Sequence, residues 1–422
     1  MNLLEELLGR EENRLKRIDE SPDATRLQSN RLGFELELDL YKELLEAWQN
    51  GKPLLPYFPS ATLARALGSQ CVVYEGLVPN FPEEAPRYTQ AARDMGLLEY
   101  ICDAFTLANV ASMLGELPPP SVGAVCSGGT CRVWGYHLKA LTEHFKVPTF
   151  EIDTPHEYSE ETVKYLATQL DGLVKFVESK VPGLKYDRDR HAELIDANRI
   201  FVEYCKKEWE LRKHVPFPLD NIDSFRQPFH REPNIFADTN KALEYWRLRV
   251  EEIEDRVSKK INKEESLRLL WVWGGPVYLN PIAQLEPRGV SVPSVILPPT
   301  PLFNGRYANW GDEEEFGRKL TPLEEEARFL ISTGICRGGR GWVEEVLWSC
   351  RDLGCDGIVY YQLKGCVHVG TLARLVADAA LQEQGVPTLV ISGRLMDPSS
   401  LSPEDFESRL IEFVNMVQHQ KK

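Results

Sequence analysis

The chain has 422 residues, a hydrophobic share of 43% and a formal net charge of −15. A chain of this length can form two or three domains, each with its own core. The acidic balance argues against binding nucleic acid or an anionic membrane, because both need a basic face. The charged, amphipathic N-terminus lacks the apolar core of a signal peptide, and no run of about 18 apolar residues occurs. We therefore expect a cytoplasmic protein with no membrane span.

Residues 1–50 are predicted to form a helical N-terminal segment. Leucines recur at helical spacing between Leu3 and Leu8, and the same spacing returns between Leu38 and Leu45. The stretch GKPLLPYFPS, with three prolines, then ends this pattern.

A strand, a helix and a second strand follow. SVGAV, ending at Val125, is typical of a short buried strand, a helical pattern runs from Arg132 to Phe145, and VPTFEID is the next strand. This order is a βαβ unit, which indicates a parallel sheet. A long helical pattern, interrupted at KVPGLKYDRDR, completes a first α/β domain over residues 51–230.

A second series of strands and helices predicts another α/β domain over residues 231–422. Its predicted strands are SLRLLWVWGG, VSVPSVIL, GIVYYQL and VPTLVIS. HFKVPTFEID and EQGVPTLVIS occupy the same place in the two halves, which suggests two related, doubly wound domains.

The nine cysteines fit no disulfide framework, because their number is odd and they are widely scattered. The chain also lacks CxxC, a Cys/His zinc spacing and a ferredoxin run. Three cysteines lie inside predicted helices or just before a strand, and we predict that they only pack: Cys205, Cys350 and Cys355.

Four other cysteines lie at strand ends or helix starts: Cys126, Cys131, Cys336 and Cys366. Loops after parallel strands are where α/β folds build sites, and a helix N-terminus stabilises a thiolate. Cys71 and Cys102, considered alone, are more typical of buried small residues than of ligands.

Several longer stretches are familiar in combination. They are MGLLEYICDAFTLANVASM, the strand–Cys–helix unit at Cys131, GCDGIVYYQLKGCVHVG, and GVPTLVISGRLMDP with FESRLIEFVNMV. From about Pro56 onward, the chain resembles the 2-hydroxyacyl-CoA dehydratase and benzoyl-CoA reductase family of iron–sulfur proteins. Arg409 and Phe413 match the closing helix of this family.

The resemblance implies two Rossmann-like domains that face each other across an iron–sulfur cluster, beside a helical N-terminal part. It also implies an anaerobic chemistry in which a separate ATP-hydrolysing activator, itself an iron–sulfur protein, supplies low-potential electrons. The chain has no GxxxxGK[ST] phosphate loop, which agrees with ATP hydrolysis on a partner.

Dehydratase subunits of this family hold one [4Fe–4S] cubane through three cysteines. The resemblance assigns three such ligands here: Cys102, Cys131 and Cys366. Three further cysteines remain: Cys71, Cys126 and Cys336. Six ligands look like the branch of double-cubane cluster proteins, which bind an [8Fe–9S] cluster through three cysteines on each cubane. We therefore expect a double-cubane cluster, with Cys126 and Cys131 on different cubanes.

The implied activity is that of an oxidoreductase, the electron-transferring reductase component of an ATP-dependent system. It would act on small, unreactive substrates and work as a homodimer with its activator. His368 and His137 are candidate proton donors, because histidine titrates near neutral pH, although a lone histidine is more often structural. Lys364 could offset cluster charge.

Three alternatives stay open. One is a single-cubane subunit of a 2-hydroxyacyl-CoA dehydratase or benzoyl-CoA reductase, with a sister subunit and a CoA pocket. The others are a non-catalytic electron carrier and a metal-free dithiol oxidoreductase at Cys126 and Cys131. Trp273 and Trp310 could line an interface or the core.

Overall fold

The computed structural model describes residues 2–23, 26–97, 101–128, 132–225, 232–259, 264–296, 316–332, 338–367 and 370–421. Over these residues the protein has an α/β architecture with parallel sheets and a helical N-terminal segment, as the sequence predicts. None of the helices in these ranges is long and apolar enough to cross a membrane.

The N-terminal segment consists of two helices, α1 (Leu3–Glu20) and α2 (Ser29–Gln49). The side chain of Asn2 caps α1 by accepting a hydrogen bond from the backbone N–H of Leu4 at 3.1 Å. The predicted leucines of α1 are buried against the apolar face of α2, so the two helices form a pair.

The first α/β half begins with a small parallel pair of strands and four short helices. These elements are β1 (Leu55–Pro56), α3 (Ala61–Ala66), β2 (Cys71–Val72), α4 (Tyr74–Leu77), α5 (Ala85–Asp94) and α6 (Asp103–Met113). Helix α6 is almost wholly buried, and its apolar residues belong to the same core cluster as buried leucines of α1 and α2.

The predicted βαβ unit is confirmed. It comprises β3 (Gly123–Gly128), α7 (Arg132–Phe145) and β4 (Thr149–Thr154). The two strands are parallel along their whole length, from Gly123 opposite Thr149 to Gly128 opposite Thr154. The long helical region follows as α8 (Glu160–Lys180), α9 (Arg188–Arg212) and α10 (Asn221–Phe225), with the break at KVPGLKYDRDR.

The second half contains five strands and six helices in the described part of the chain. These are α11 (Thr239–Ser258), β5 (Leu267–Val272), α12 (Pro281–Leu285), β6 (Val290–Ser291), β7 (Val295–Ile296), α13 (Pro322–Ser332), α14 (Gly338–Asp352), β8 (Gly357–Leu363), α15 (Ala373–Gln384), β9 (Thr388–Gly393) and α16 (Pro403–Lys421). The strands form one parallel sheet in the order β6-β5-β8-β9, and β7 also pairs with β5.

Both faces of this sheet are covered, which is why every residue of β5 is buried and all of them except Arg268 are apolar. One set of alternating residues, including Leu270 and Val272, packs against α14 and α15; we call this cluster face 1. The other set, including Leu269 and Trp271, packs against α16; we call this cluster face 2. The sheet is therefore doubly wound, as predicted.

One predicted strand differs in detail. VSVPSVIL forms two short strands, β6 and β7, rather than one. Pro293 lies between them, and proline has no backbone N–H to donate to a sheet.

Candidate functional site

Cys366 lies at the carboxyl edge of the second sheet. Strand β8 ends at Leu363, whose carbonyl accepts the backbone N–H of Cys366 at 3.1 Å. The intervening Lys364 donates its own backbone N–H to the carbonyl of Gly393 at the end of β9, at 2.8 Å. Two strands thus hold the turn, and they place Cys366, which is half-buried, where α/β folds bind ligands.

Cys102 occupies the N-cap position of α6 and is 4% exposed. Its carbonyl accepts hydrogen bonds from the backbone N–H of Thr106 at 3.2 Å and from the Thr106 hydroxyl at 3.0 Å. Cys102 thus stands at the N-terminal, positive end of the α6 dipole, a position suited to a negatively charged ligand.

Gly365 brings the two cysteines together. A Cβ at this position would lie 2.5 Å from the carbonyl carbon and oxygen of Ile101 and 2.9 Å from the backbone nitrogen of Cys102. Gly365 also has a φ of +88°, which disfavours any side chain. Cys102 belongs to the face 2 cluster, and Cys366 packs against that cluster. The structure therefore brings the turns of these two cysteines together.

Asp103 fastens the Cys102 turn to the second half of the chain. Its carboxylate accepts the backbone N–H of Leu395 at 3.2 Å and that of Met396 at 2.8 Å, in the loop after β9. The Arg394 guanidinium donates to the carbonyl of Ile101 at 3.5 Å. Burial raises the pKa of the Asp103 carboxyl, and the two N–H groups and Arg394 offset only part of that shift.

No sequence motif points to a role for Asp103, Gly365 or Arg394. Their signals are local and weak: an acidic residue next to a cysteine, a glycine before one, and an arginine after a strand. Each becomes informative only when the loops after β8 and β9 are seen to meet the start of α6.

Cys71 lies in a different environment. It pairs in register with Leu55 across β1 and β2, and its sulfur is 3.7 Å from the carbonyl oxygen of Phe58. It is half-buried and packs against the apolar cluster of the first half, which contains Leu63 and Ile152. None of these contacts is with Cys102 or Cys366, and the role of Cys71 as a ligand stays a prediction.

The side chains of the other predicted loop residues lie outside the described part of the chain. Cys126 lies in β3 opposite Ile152, but its side chain is outside the described part. Three predicted site residues lie wholly outside the described residues: Cys131, Cys336 and His368. Their assignments stay predictions.

The three cysteines predicted to pack are buried, which confirms that prediction: Cys205, Cys350 and Cys355. The thiol of Cys350 donates to the carbonyl of Cys355 at 3.8 Å. Burial raises the pKa of the Cys205 and Cys355 thiols well above the ordinary value, which disfavours the thiolate that a metal needs.

His137 is buried between α6 and α7. Its ring stacks on Phe105 with centroids 5.8 Å apart, and its Nε2 lies 3.4 Å from the hydroxyl of Thr106. Burial lowers the pKa of His137 to about 4, so at neutral pH the imidazole is uncharged. Its neighbour Thr106 lies one helical turn from Cys102 on α6. Any proton that His137 gives up must be the N–H proton of the neutral ring.

Lys364 lies on the surface beside Cys366. Its ammonium donates to the carbonyl of Ser400 at 3.2 Å, which orients the side chain toward the loop after β9. The roles predicted for Lys364 and His137 remain predictions.

The described residues fit an iron–sulfur cluster held by thiolates. Soft sulfur ligands suit such clusters, and Cys102 and Cys366 converge where a glycine leaves no room for a side chain. Among the described residues no group of three or more Cys, His, Asp or Glu could hold a metal ion, and the third cysteine of the predicted set is outside them. The pair would supply part of the predicted ligand set.

Comparisons with known proteins identify a family for this chain. The family model of the 2-hydroxyglutaryl-CoA dehydratase D-component matches residues 57–417. The chain is 21% identical to lactoyl-CoA dehydratase subunit alpha of Anaerotignum propionicum, over 73% of this chain and 72% of that one. It is 19% identical to the (R)-2-hydroxyisocaproyl-CoA dehydratase alpha subunit of Clostridioides difficile, over 73% and 74%. The chain therefore belongs to the 2-hydroxyglutaryl-CoA dehydratase D-component family.

Proposed function

We propose that this chain is the reductase component of an ATP-dependent system and carries a double-cubane [8Fe–9S] cluster. A separate ATP-hydrolysing iron–sulfur activator would reduce it, and it would pass low-potential electrons to small, unreactive molecules. A division into α/β domains near residue 230 and assembly as a homodimer are parts of the same proposal.

The observation that supports a cluster is the approach of Cys102 to Cys366. The two residues are 264 positions apart in the sequence, yet Gly365, directly before Cys366, lies against the backbone of Ile101 and Cys102. The family is one that binds iron–sulfur clusters. A third thiolate from Cys131, just before α7, would complete one cubane.

The cysteine inventory supports the second cubane. Three of the nine cysteines are buried packing residues, and six remain. Three of these are not needed for the first cubane: Cys71, Cys126 and Cys336. A bridged pair of cubanes concentrates more negative charge than a single cubane, so adding an electron to it is harder. Delivery of that electron therefore calls for coupling to ATP hydrolysis.

The chain's own residues would hold and shield this cluster. When bound, the cluster would supply one-electron reduction at low potential. Asp103 and Arg394 hold the Cys102 turn in place, and Gly365 permits its contact with the Cys366 turn. The apolar clusters on both sheet faces keep water from the inner side of Cys366, which affects the potential of any cluster there.

The second candidate is a single-cubane subunit of a 2-hydroxyacyl-CoA dehydratase. The names of both relatives favour it, since both are alpha subunits of CoA-ester dehydratases. This candidate predicts co-purification with a sister subunit and binding of a CoA thioester.

Iron and acid-labile sulfide per chain, measured on anaerobically purified protein, separate the two. About eight irons support the double cubane, and about four support the dehydratase subunit. In the first case Cys71→Ala, Cys126→Ala and Cys336→Ala should each lower iron content. In the second case all three should leave it unchanged. Cys350→Ala, in the buried core, is the matched control and should keep its iron in both cases.

A further inference from the structure

Trp273, the residue that follows β5, has an unusual backbone. Its φ is +71°, in the left-handed region that bulky side chains rarely adopt. Its backbone N–H donates to the carbonyl of Ile296 at 2.8 Å, which ties this conformation to the end of β7. Strained residues of this kind persist only where the surrounding structure enforces them, and they cluster at functional sites.

The strained backbone changes which face of the sheet the side chain meets. Strand alternation would place residue 273 on face 2 with Leu269 and Trp271. In the structure Trp273 packs against both the face 1 and the face 2 clusters, and Cys366 does the same. A residue that borders both faces lies at the edge of the sheet, so Trp273 and Cys366 share the carboxyl edge.

The strand register supports this placement. Val272 pairs with Tyr360 across β5 and β8, so Trp273 follows on beside Tyr361. Leu363, two residues further along β8, accepts the backbone N–H of Cys366. Neighbouring strands are about 4.8 Å apart and each residue advances by about 3.3 Å, so Trp273 and the Cys366 turn are near neighbours.

The indole N–H of Trp273 is buried and has no hydrogen-bond partner among the described residues. Two other indoles of this core are paired: Trp342 donates to the hydroxyl of Tyr360 at 3.0 Å, and Trp209 donates to the carboxylate of Asp352 at 2.6 Å. The indole N–H of Trp271 also lacks a partner among the described residues, but Trp271 lies inside the face 2 cluster, whereas Trp273 borders both clusters at the sheet edge. A buried donor with no acceptor is costly, and such a group is explained when a bound species accepts its hydrogen bond.

We propose that the Trp273 indole N–H donates a hydrogen bond to a sulfur of the cluster at Cys102 and Cys366, either a bridging sulfide or a ligand thiolate. The inference rests on the proposed function only in requiring a cluster there, and it holds for one cubane or two. A donor aimed at sulfur stabilises added negative charge and raises the reduction potential. Trp273 would thus set how readily the activator can reduce this chain.

The test compares Trp273→Phe with Trp342→Phe in the full-length, anaerobically purified protein. Iron content is measured first, and the potential of the cluster is then titrated with electron paramagnetic resonance as the readout. At a fixed ambient potential, Trp273→Phe should show an about threefold to tenfold lower ratio of reduced to oxidised cluster, the range expected for one lost hydrogen bond. Trp342→Phe should leave the ratio unchanged.

A wild-type ratio in a Trp273→Phe protein with full iron content would overturn the inference. If the variant loses its iron, the wild-type protein provides a second measurement. With 15N-indole tryptophan, the Trp273 signal should be shifted or broadened by the paramagnetic reduced cluster, and a sharp, unshifted signal would overturn the inference. Absence of iron from the wild-type protein would instead refute the proposed function.

Discussion

The carboxylate of Asp103 accepts the backbone N–H of Met396 at 2.8 Å, although the two residues are 293 positions apart. Asp103 begins α6 directly after Cys102, and Met396 lies in the loop after β9. A single buried side chain therefore joins the first half of the chain to the carboxyl edge of the second sheet, beside the candidate cluster.

Asp103→Asn tests this connection. An amide offers only one acceptor oxygen, so one of the two backbone N–H groups loses its partner, at a cost of about 1–3 kcal/mol in the free energy of unfolding. We also expect lower iron content, because Cys102 is no longer held. Both are measured by chemical denaturation and iron assay. Asp378→Asn, in a surface ion pair on α15, is the control and should change both by little. Unchanged iron in Asp103→Asn would show that the Cys102 turn is positioned by other contacts.

Gly365→Ala should abolish the contact between the two cysteine turns. The new Cβ would lie 2.5 Å from Ile101, and the backbone φ of +88° adds strain. We expect loss of most of the iron and a destabilisation larger than about 2 kcal/mol.

Gly385→Ala is a matched control for this substitution. Gly385 also has a positive φ, of +69°, but nothing lies within 4 Å of its added Cβ. Strain alone should then cost about 1 kcal/mol, with iron unchanged. Equal effects of the two substitutions would mean that the close approach at Ile101 does not matter.

His137 should make the protein less stable in mild acid. Its folded-state pKa of about 4 lies below the unfolded value of 6.5, so the unfolded chain binds the proton more tightly. The stability contributed by the neutral ring is fully present above pH 6.5 and is lost as the pH falls toward 4. Between pH 7.5 and pH 5 the loss from this group is about 2 kcal/mol.

Urea denaturation of His137→Gln at these two pH values checks this contribution. The variant should lose about 2 kcal/mol less than the wild type over the same pH interval. His419→Gln, at an exposed position on α16, should follow the wild type. Parallel pH profiles for the wild type and His137→Gln would contradict the burial argument.

Glu208 should be essential for the fold away from the site. It lies fully buried between Arg212 and Arg249, with contacts of 2.5 and 2.8 Å. Burial by itself would raise the pKa of the Glu208 carboxyl, but the guanidinium groups of Arg249 and Arg212 lower this pKa to about 2. Its contribution to stability is therefore present above pH 4.5 and lost only as the pH falls toward 2.

Glu208→Gln removes the carboxylate that bridges two buried arginines, and it should cost about 3–5 kcal/mol in the free energy of unfolding. Glu251→Gln removes a surface ion pair with Arg247 on α11 and should cost less than about 1 kcal/mol. Thermal and urea unfolding measure both, and similar losses would show that burial does not amplify this pair.

The sequence by itself determined the elements and the sorting of the cysteines. Helical leucine spacing gave α1 and α2, apolar runs gave β5 and β8, and mid-helix positions identified Cys205 and Cys350 as packing residues. These features depend on neighbours a few positions away, and local periodicity records them. The apolar run VSVPSVIL predicts one strand, but Pro293 divides it into β6 and β7.

Only the tertiary structure decided how the site is assembled. The Gly365–Ile101 contact, the Asp103–Met396 hydrogen bond and the indole of Trp273 at the sheet edge all join segments distant in sequence. Such contacts arise from how strands order in a sheet and how loops meet at its edge, and no local pattern encodes them. The sequence supplied thiols in suitable loops, and among the described residues the fold brings the turn of Cys366 against that of Cys102.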